Sequence, residues 1–460
     1  PRGAPMRRLL VLLLFPCLIA LACQDARPEP TAPPSDGASP TAGAAEPWPA
    51  RPTPALGKLA FVRGGNIWVK ELPDGEARQV TRDGRSHTPR WSPSGSWLAF
   101  RREEQLWIVR GSGADARQIA ADASGPFAWA PAADHLAYVD DGGLFVVDAE
   151  RADPRELVPR SGRDGSGVFS LAWSPDGTWI AYGRQDVADE AQGQPPRVTA
   201  GLWRVHVERA ERQELFRGAT SPDPSRPQAY SPGAIVADWS KDGQHILFWA
   251  DPFLASLLAD GTQLMAIPAN GGTPREIVTS MLANRDFLSW SPDGRSLALV
   301  QGAGRMTWSD KSIVVTSPTA EGTRLSDGGR ADLFPAWSPD GEWIAFTSGP
   351  ALAPNAPEDA VRRALDERRI WLARPDGSEK HPLAGDSAAR DERPLWSSDG
   401  DYVLFVRRTG ERAQLWLVRS DGTGPRPVVE ELSPEPDWFG YYGYTDWAQY
   451  FDWWQRPTTG

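Results

Sequence analysis

From residue 57 onward the chain alternates between short apolar runs and compact polar breaks, most clearly in Trp337-Ser338-Pro339-Asp340-Gly341-Glu342-Trp343-Ile344-Ala345-Phe346. The apolar run at 343–346 is too short for a helix and rich in residues that suit strands. Ile344 and Phe346 fall on one face and Trp343 and Ala345 on the other, so the pattern predicts a strand packed on both sides. Ahead of it, Pro339 presets φ for a turn corner, the Asp340 carboxylate can accept from nearby backbone N–H groups, and Gly341 supplies the left-handed residue that closes a hairpin.

Close copies of this stretch begin at Trp91, Trp129, Trp173, Trp239, Trp290, Trp337 and Trp396. Subtracting successive tryptophan positions gives spacings of 38, 44, 66, 51, 47 and 59 residues. The shortest fits the roughly 40 to 50 residues of a four-stranded propeller blade, and the longer ones imply insertions. A third strand follows each copy: Gln105-Leu-Trp-Ile-Val, Gly143-Leu-Phe-Val-Val, Gly201-Leu-Trp-Arg-Val, Gln263-Leu-Met-Ala-Ile, Ser312-Ile-Val-Val-Thr, Arg369-Ile-Trp-Leu-Ala and Gln414-Leu-Trp-Leu-Val. Asn66-Ile-Trp-Val-Lys makes an eighth, in a first unit that has no Trp-Ser-Pro strand before it. One innermost strand must therefore come from elsewhere, and the aromatic stretch 444–454 can supply it. The expected fold is all-β: an eight-bladed β-propeller closed by pairing of the N- and C-terminal strands, which removes the open sheet edges. Seven blades is the alternative if the copy at Trp129, which lacks the Pro-Asp-Gly turn, is not a full blade.

These repeats resemble those of TolB-like bacterial propellers, in which a Trp-Ser-Pro-Asp-Gly turn precedes Ile-Ala-Phe and then Ile-Trp-Val, and the resemblance covers about residues 57–430. It implies the fold and leaves function open, because similar propellers serve as scaffolds, receptors and gating domains of prolyl-oligopeptidase-like enzymes. TolB itself carries a separate α/β domain before its propeller, for which residues 24–56 are too short.

The chain's beginning reads differently. Arg7 and Arg8 form a basic region after Met6, read as the initiator, residues 9–21 form an apolar core, and Ala20-Leu21-Ala22-Cys23 ends it in small residues. Residues 1–22 are thus a secretory signal, and the cysteine directly after them resembles a bacterial lipoprotein signal, which implies lipidation of Cys23. The alternative is an ordinary signal peptide with Cys23 near its cleavage site. Residues 23–56, dense in Pro, Ala, Ser, Thr and Glu, read as a disordered tether, and the propeller as 57–456. No cysteine follows Cys23, so the exported domain has no internal disulfide or thiolate metal site. These readings place the protein in the bacterial cell envelope, on the membrane through the lipid at Cys23.

A net charge of -11, a pI near 5.1 and no long basic run argue against a nucleic-acid partner. Tight turns collect at one end of the ring and long insertions at the other: 184–200, 218–238, 251–262, 302–311 and 348–368. Within the last, 359–369 after Pro357 has helix-forming composition. Long loops on a rigid scaffold are where binding sits. Residues just before the first strands are expected at the channel mouth on this same rim: His87, Arg90, Asp238, Arg285, Asp286, Asp332, Asp391 and Arg393. They either hold a polar ligand or pair with one another and solvate the channel. Trp249, in the aromatic stretch 248–254, either presents a contact patch there or packs internally. The tail aromatics from Trp438 to Trp454 are read as strand closure plus plugging rather than a sugar-stacking platform.

Catalysis has little support. There is no Gly-x-Ser-x-Gly elbow and no length for a hydrolase domain beyond the propeller. His87, His135, His206, His245 and His381 are scattered, so no metal or other cofactor is expected. The repeated Asp176, Asp242, Asp293, Asp340 and Asp399 are turn residues. The leading expectation is a non-catalytic, lipid-anchored propeller that binds an envelope protein or peptide on its loop-rich face. The alternatives are an enzyme or sensor holding a small molecule or glycan at the channel mouth, and a non-catalytic component of a peptidase-like system.

Overall fold

A computed structural model of the protein describes residues 55–121, 125–161, 166–188, 198–218, 232–252, 261–383, 389–433, 437 and 439–456. The signal segment, Cys23 and the tether up to residue 54 lie outside these residues, as do Trp438 and the middles of three insertions (189–197, 219–231 and 253–260).

The described strands form eight four-stranded antiparallel sheets, the blades of a β-propeller. Blade 1 takes its innermost strand from the C-terminal part of the chain: Phe451–Trp454 pairs antiparallel with Lys58–Arg63, with Trp453 opposite Leu59 and Phe451 opposite Phe61. Blades 2 to 8 begin with Ser86–Trp91, Phe127–Trp129, Gly167–Trp173, Pro232–Trp239, Leu288–Trp290, Arg330–Trp337 and Arg390–Trp396. The copy at Trp129 is a full blade, continued by His135–Asp140, Gly143–Asp148 and Pro154–Val158. Folded structure already includes Leu56, which is buried and accepts a hydrogen bond from the Trp453 indole at 2.8 Å.

The repeated turn works through its serine as well as its aspartate. In blade 4, Ser174 Oγ donates to Asp176 Oδ1 at 2.6 Å and accepts from Trp179 N at 2.9 Å, while Thr178 N donates to the same carboxylate oxygen at 3.0 Å. The same triangle recurs at Ser240/Asp242, Ser291/Asp293, Ser338/Asp340 and Ser397/Asp399. Gly400 at φ +78° closes one such turn, and a Cβ there would stand 3.8 Å from Pro339 of the preceding blade.

Each blade buries apolar side chains on both faces against its neighbours. The tryptophan that ends a first strand bridges blades: Trp129, Trp173 and Trp396 each donate at 3.0 Å to the carbonyl of Arg90, Ala128 or Ala336, the residue just before the previous blade's tryptophan. Two insertions are partly strand: Trp179–Val187 pairs with Val198–His206 out to Val187 opposite Val198, and Pro232 pairs with Pro252. The expected rim helix is Glu358–Asp366, with Pro357 at its N-cap. Its Val361 and Leu365 pack with Trp308 of the 302–311 insertion and with Phe439 and Tyr442 of the C-terminal segment.

Candidate functional site

The strand order explains why the insertion-side mouth of the channel is covered. The outermost strand of blade 8, Arg426–Leu432, ends at the periphery of that face, whereas Phe451 must begin at the centre. The connecting residues consequently cross the mouth. Tyr444 packs on Phe287 and Phe334 with ring centroids 5.6 and 5.9 Å away, and Arg90 of blade 2 donates to Ala448 O at 2.6 Å. A 3-10 turn, Trp447–Gln449, is capped by Asp446 and buries Trp447 completely.

A buried ionic cluster clamps this segment down. Arg368 and Arg390 both bind the Glu392 carboxylate, and both also donate to Gly443 O, at 2.7 and 3.1 Å. Arg368 reaches Thr307 Oγ1 at 2.8 Å, Trp447 Nε1 donates to Glu392 Oε2 at 3.2 Å, and Arg408 donates to Asp437 O at 3.1 Å. Burial alone pushes Glu392 up, but the guanidinium groups of Arg390 and Arg368 together outweigh it and hold the carboxyl below its usual range.

What remains of the channel is a cavity of about 800 Å³. At the end near the C-terminal segment it is lined by Arg90, Arg285, Asp286, Arg393, Asp446 and Asp452. At the other end it is lined by Lys241, Pro292, Pro339, Ser398 and Gln455, which belong to the tight turns and the end of the closing strand. Trp337, Trp396 and Trp453 form part of the wall between. The pocket is thus blind towards the insertion rim and opens on the tight-turn face. That corrects the expectation of a mouth on the insertion rim: the first strands do begin there, but the C-terminal segment covers it.

The candidate residues separate accordingly. Arg285 donates at 2.6 Å to Leu171 O and at 3.3 Å to Val236 O, reaching the inner strands of blades 4 and 5. It is solvent-accessible and lines the cavity, yet the protein around it strips enough water to lower its pKa. Asp286 accepts from the Tyr444 hydroxyl at 3.1 Å, and burial pushes its carboxyl up to about 6 against the pull of Arg393. Arg393, half-buried at φ +57° just before Pro394, lies in a strand bulge whose counterparts are Thr88 and Phe334, each also before a proline. No hydrogen bond and no ion pair within 4.0 Å engages its guanidinium among the described residues. The charges of Asp286 and Asp452 nevertheless feel it.

The other candidates do not line the cavity. Asp238 accepts from Trp239 N at 2.8 Å and from the Trp290 indole at 2.9 Å, substituting a carboxylate for the carbonyl that receives the bridging tryptophan in other blades. Asp332 is buried and bound by Ser348 Oγ, and Asp391 is gripped by Arg407 through two 2.7 Å hydrogen bonds. His87 is half-buried with Nδ1 2.8 Å from Thr88 Oγ1, and burial followed by the Arg101 charge lowers its pKa. Trp249, 2% exposed, sits in the core, because strand pairing continues past it and turns its ring inward. It presents no contact patch. Sequence reasoning missed Asp446, Asp452 and Lys241 as lining groups, since their place depends on the path of the C-terminal segment and on which turn edges face the channel.

No protein-family model matches the chain. An uncharacterized protein of Agrobacterium fabrum is 34% identical over 140 residues, 30% of this chain, and the match spans only 41% of that relative. Among solved structures, dipeptidyl peptidase 4 of Porphyromonas gingivalis aligns at 11% identity over 82% of this chain and 60% of its own, with a TM-score of 0.54. TolB of Acinetobacter baumannii aligns at 13% identity over 80% of this chain and 77% of its own, with a TM-score of 0.34. At such identities the peptidase likeness concerns the propeller fold alone, and the resemblance to TolB-like propellers rests on the repeated turn and the blade architecture.

Proposed function

On the premise that the chain is a TolB-like, eight-bladed β-propeller, we propose that it is a non-catalytic, exported component of a bacterial cell envelope. In this reading it is anchored by a lipid at Cys23 and recognises a protein or peptide partner through the pocket on its tight-turn face. The observation that carries this reading is the blind channel: a rigid, roomy concavity with aromatic walls and a few converging charged groups, the usual make-up of a binding site. Its carboxylates are tied to neutral donors, Asp286 by Tyr444 and Asp452 by the Trp91 amide, which suits recognition better than proton transfer. Anchoring is checked separately, because replacing Cys23 by Ser releases the protein from membranes if the lipid holds it.

A second reading keeps recognition on the insertion rim. Tyr441, 42% exposed, is the large apolar side chain left open there among the described residues, above the cluster built by the rim helix. Photo-crosslinking in producing cells separates the two readings, with a benzophenone amino acid placed either at Pro339 or at Tyr441. An adduct to one protein from Pro339 and none from Tyr441 supports the pocket. The reverse pattern moves recognition to the rim, and no adduct from either position removes the partner reading.

A further inference from the structure

Nearly all the charged groups at the closed end of the pocket are already engaged by the protein itself. Arg90 is bound to the carbonyls of Pro89 and Ala448, and Arg285 to those of Leu171 and Val236. Asp286 holds the Tyr444 hydroxyl, Asp446 caps its own 3-10 turn, and Asp452 takes the Trp91 amide at 2.7 Å. Arg393 is the exception, carrying five N–H donors on a fixed plane with no hydrogen-bond partner among the described residues. The strand bulge and the following Pro394 fix the backbone from which it projects. A guanidinium so placed matches a carboxylate, which it can bind through two parallel hydrogen bonds.

The shape of the pocket narrows the source of that carboxylate. From Arg393 the inner strand of blade 8 runs to Trp396 and on to Ser398 in the turn, from the closed end to the turn face, at most roughly 16 Å at about 3.3 Å per residue. An extended peptide entering from the turn face would place about five residues in that depth. It cannot continue through, because residues 444–448 lie across the far mouth and are clamped by the cluster around Glu392. An end of a chain fits such a pocket, whereas the middle of one would have to double back.

We propose that the channel is a receptor for a free C-terminus, with Arg393 binding the α-carboxylate and about four preceding residues lying along the walls that carry Trp337, Trp396 and Trp453. This rests on the reading of the pocket as the recognition site and names what it recognises. Asp286 and Asp452 stand near Arg393 and oppose a second anion, so the site favours a single terminal carboxylate over a polyanion. Among the described residues Arg393 makes no ion pair within 4.0 Å, so Arg393→Gln breaks no direct salt bridge and removes only its longer-range pull on Asp286 and Asp452.

The test uses the purified protein and two pools of random hexapeptides, identical except that one ends in free carboxylates and the other in amides. Peptides retained by the protein are identified by mass spectrometry, and their affinities are measured by titration. The expected result is retention from the acid pool alone, at least tenfold weaker binding once a selected peptide is amidated, and a similar loss in Arg393→Gln. Arg393→Lys should restore part of it, as a point charge without the planar fork. Equal retention of acids and amides, dependence on an Asp or Glu side chain rather than the terminus, or undiminished binding by Arg393→Gln at unchanged thermal stability would overturn the proposal. So would failure of both pools. If an adduct forms at Pro339 in cells while amidation has no effect, pocket recognition stands and terminus capture fails.

Discussion

Asp286 carries a carboxyl group that the folded chain keeps protonated more readily than an unfolded chain would. Burial, aided by the nearby Asp446 charge, raises it to about 6 against Arg393 and the Tyr444 hydrogen bond, which pull down. The native state therefore holds this proton more tightly than the unfolded state. Its stabilising contribution is present below the usual carboxylate range and is lost as pH rises through about 6. An asparagine mimics the protonated form. Asp286→Asn should accordingly melt increasingly above the parent protein between pH 4.5 and 8, with the gap levelling off past pH 7. Paired melting curves across that range check it, and a gap independent of pH would mean that Asp286 is not the titrating group.

The insertions, the rim helix and the C-terminal segment form one element through Glu392. That carboxylate compensates Arg368 and Arg390, all three being at most 2% exposed, and its removal leaves two buried guanidinium groups facing each other. Breaking a buried pair from one side typically costs about 3–5 kcal/mol. Glu392→Ala should lower unfolding free energy by about that much in urea titrations, and a loss below ~1 kcal/mol would show the cluster to be solvated. The helix itself was legible, because Pro357, acidic first-turn residues and good helix formers are local signals. The clamp was not, since Arg368, Arg390 and Glu392 read as ordinary loop and strand charges until residue 443 arrives between them. The same limit applies to the bridging tryptophans: their recurrence was visible, but a donor at one position and an acceptor some 40 residues earlier become a pair only when blades stack.

At the scale of the whole ring, the number of blades and the source of the missing strand could be counted from repeats because each blade is specified locally. The direction in which the channel opens could not, because it depends on how one non-repeating connection crosses the centre. Closure and capping are properties of the same last stretch of chain. Ending the chain at Tyr450 would remove Phe451 and Trp453, both buried, together with the Trp454 indole that donates to Pro93 O at 2.9 Å. It would also take away the Asp452 carboxylate that receives the Trp91 amide and expose the inner edge of Lys58–Arg63 along its whole pairing. Loss of a buried Phe or Trp side chain costs about 3–5 kcal/mol, and a domain's entire stability is about 5–15 kcal/mol. Truncation should therefore abolish the cooperative fold at 25 °C, giving a chain that elutes as aggregate or expanded monomer and lacks a thermal transition. Retention of a sharp transition near that of the full chain would mean that seven blades and an open eighth hold together without closure. The pocket would then have lost the wall that carries Asp452 and Trp453 while the scaffold survived.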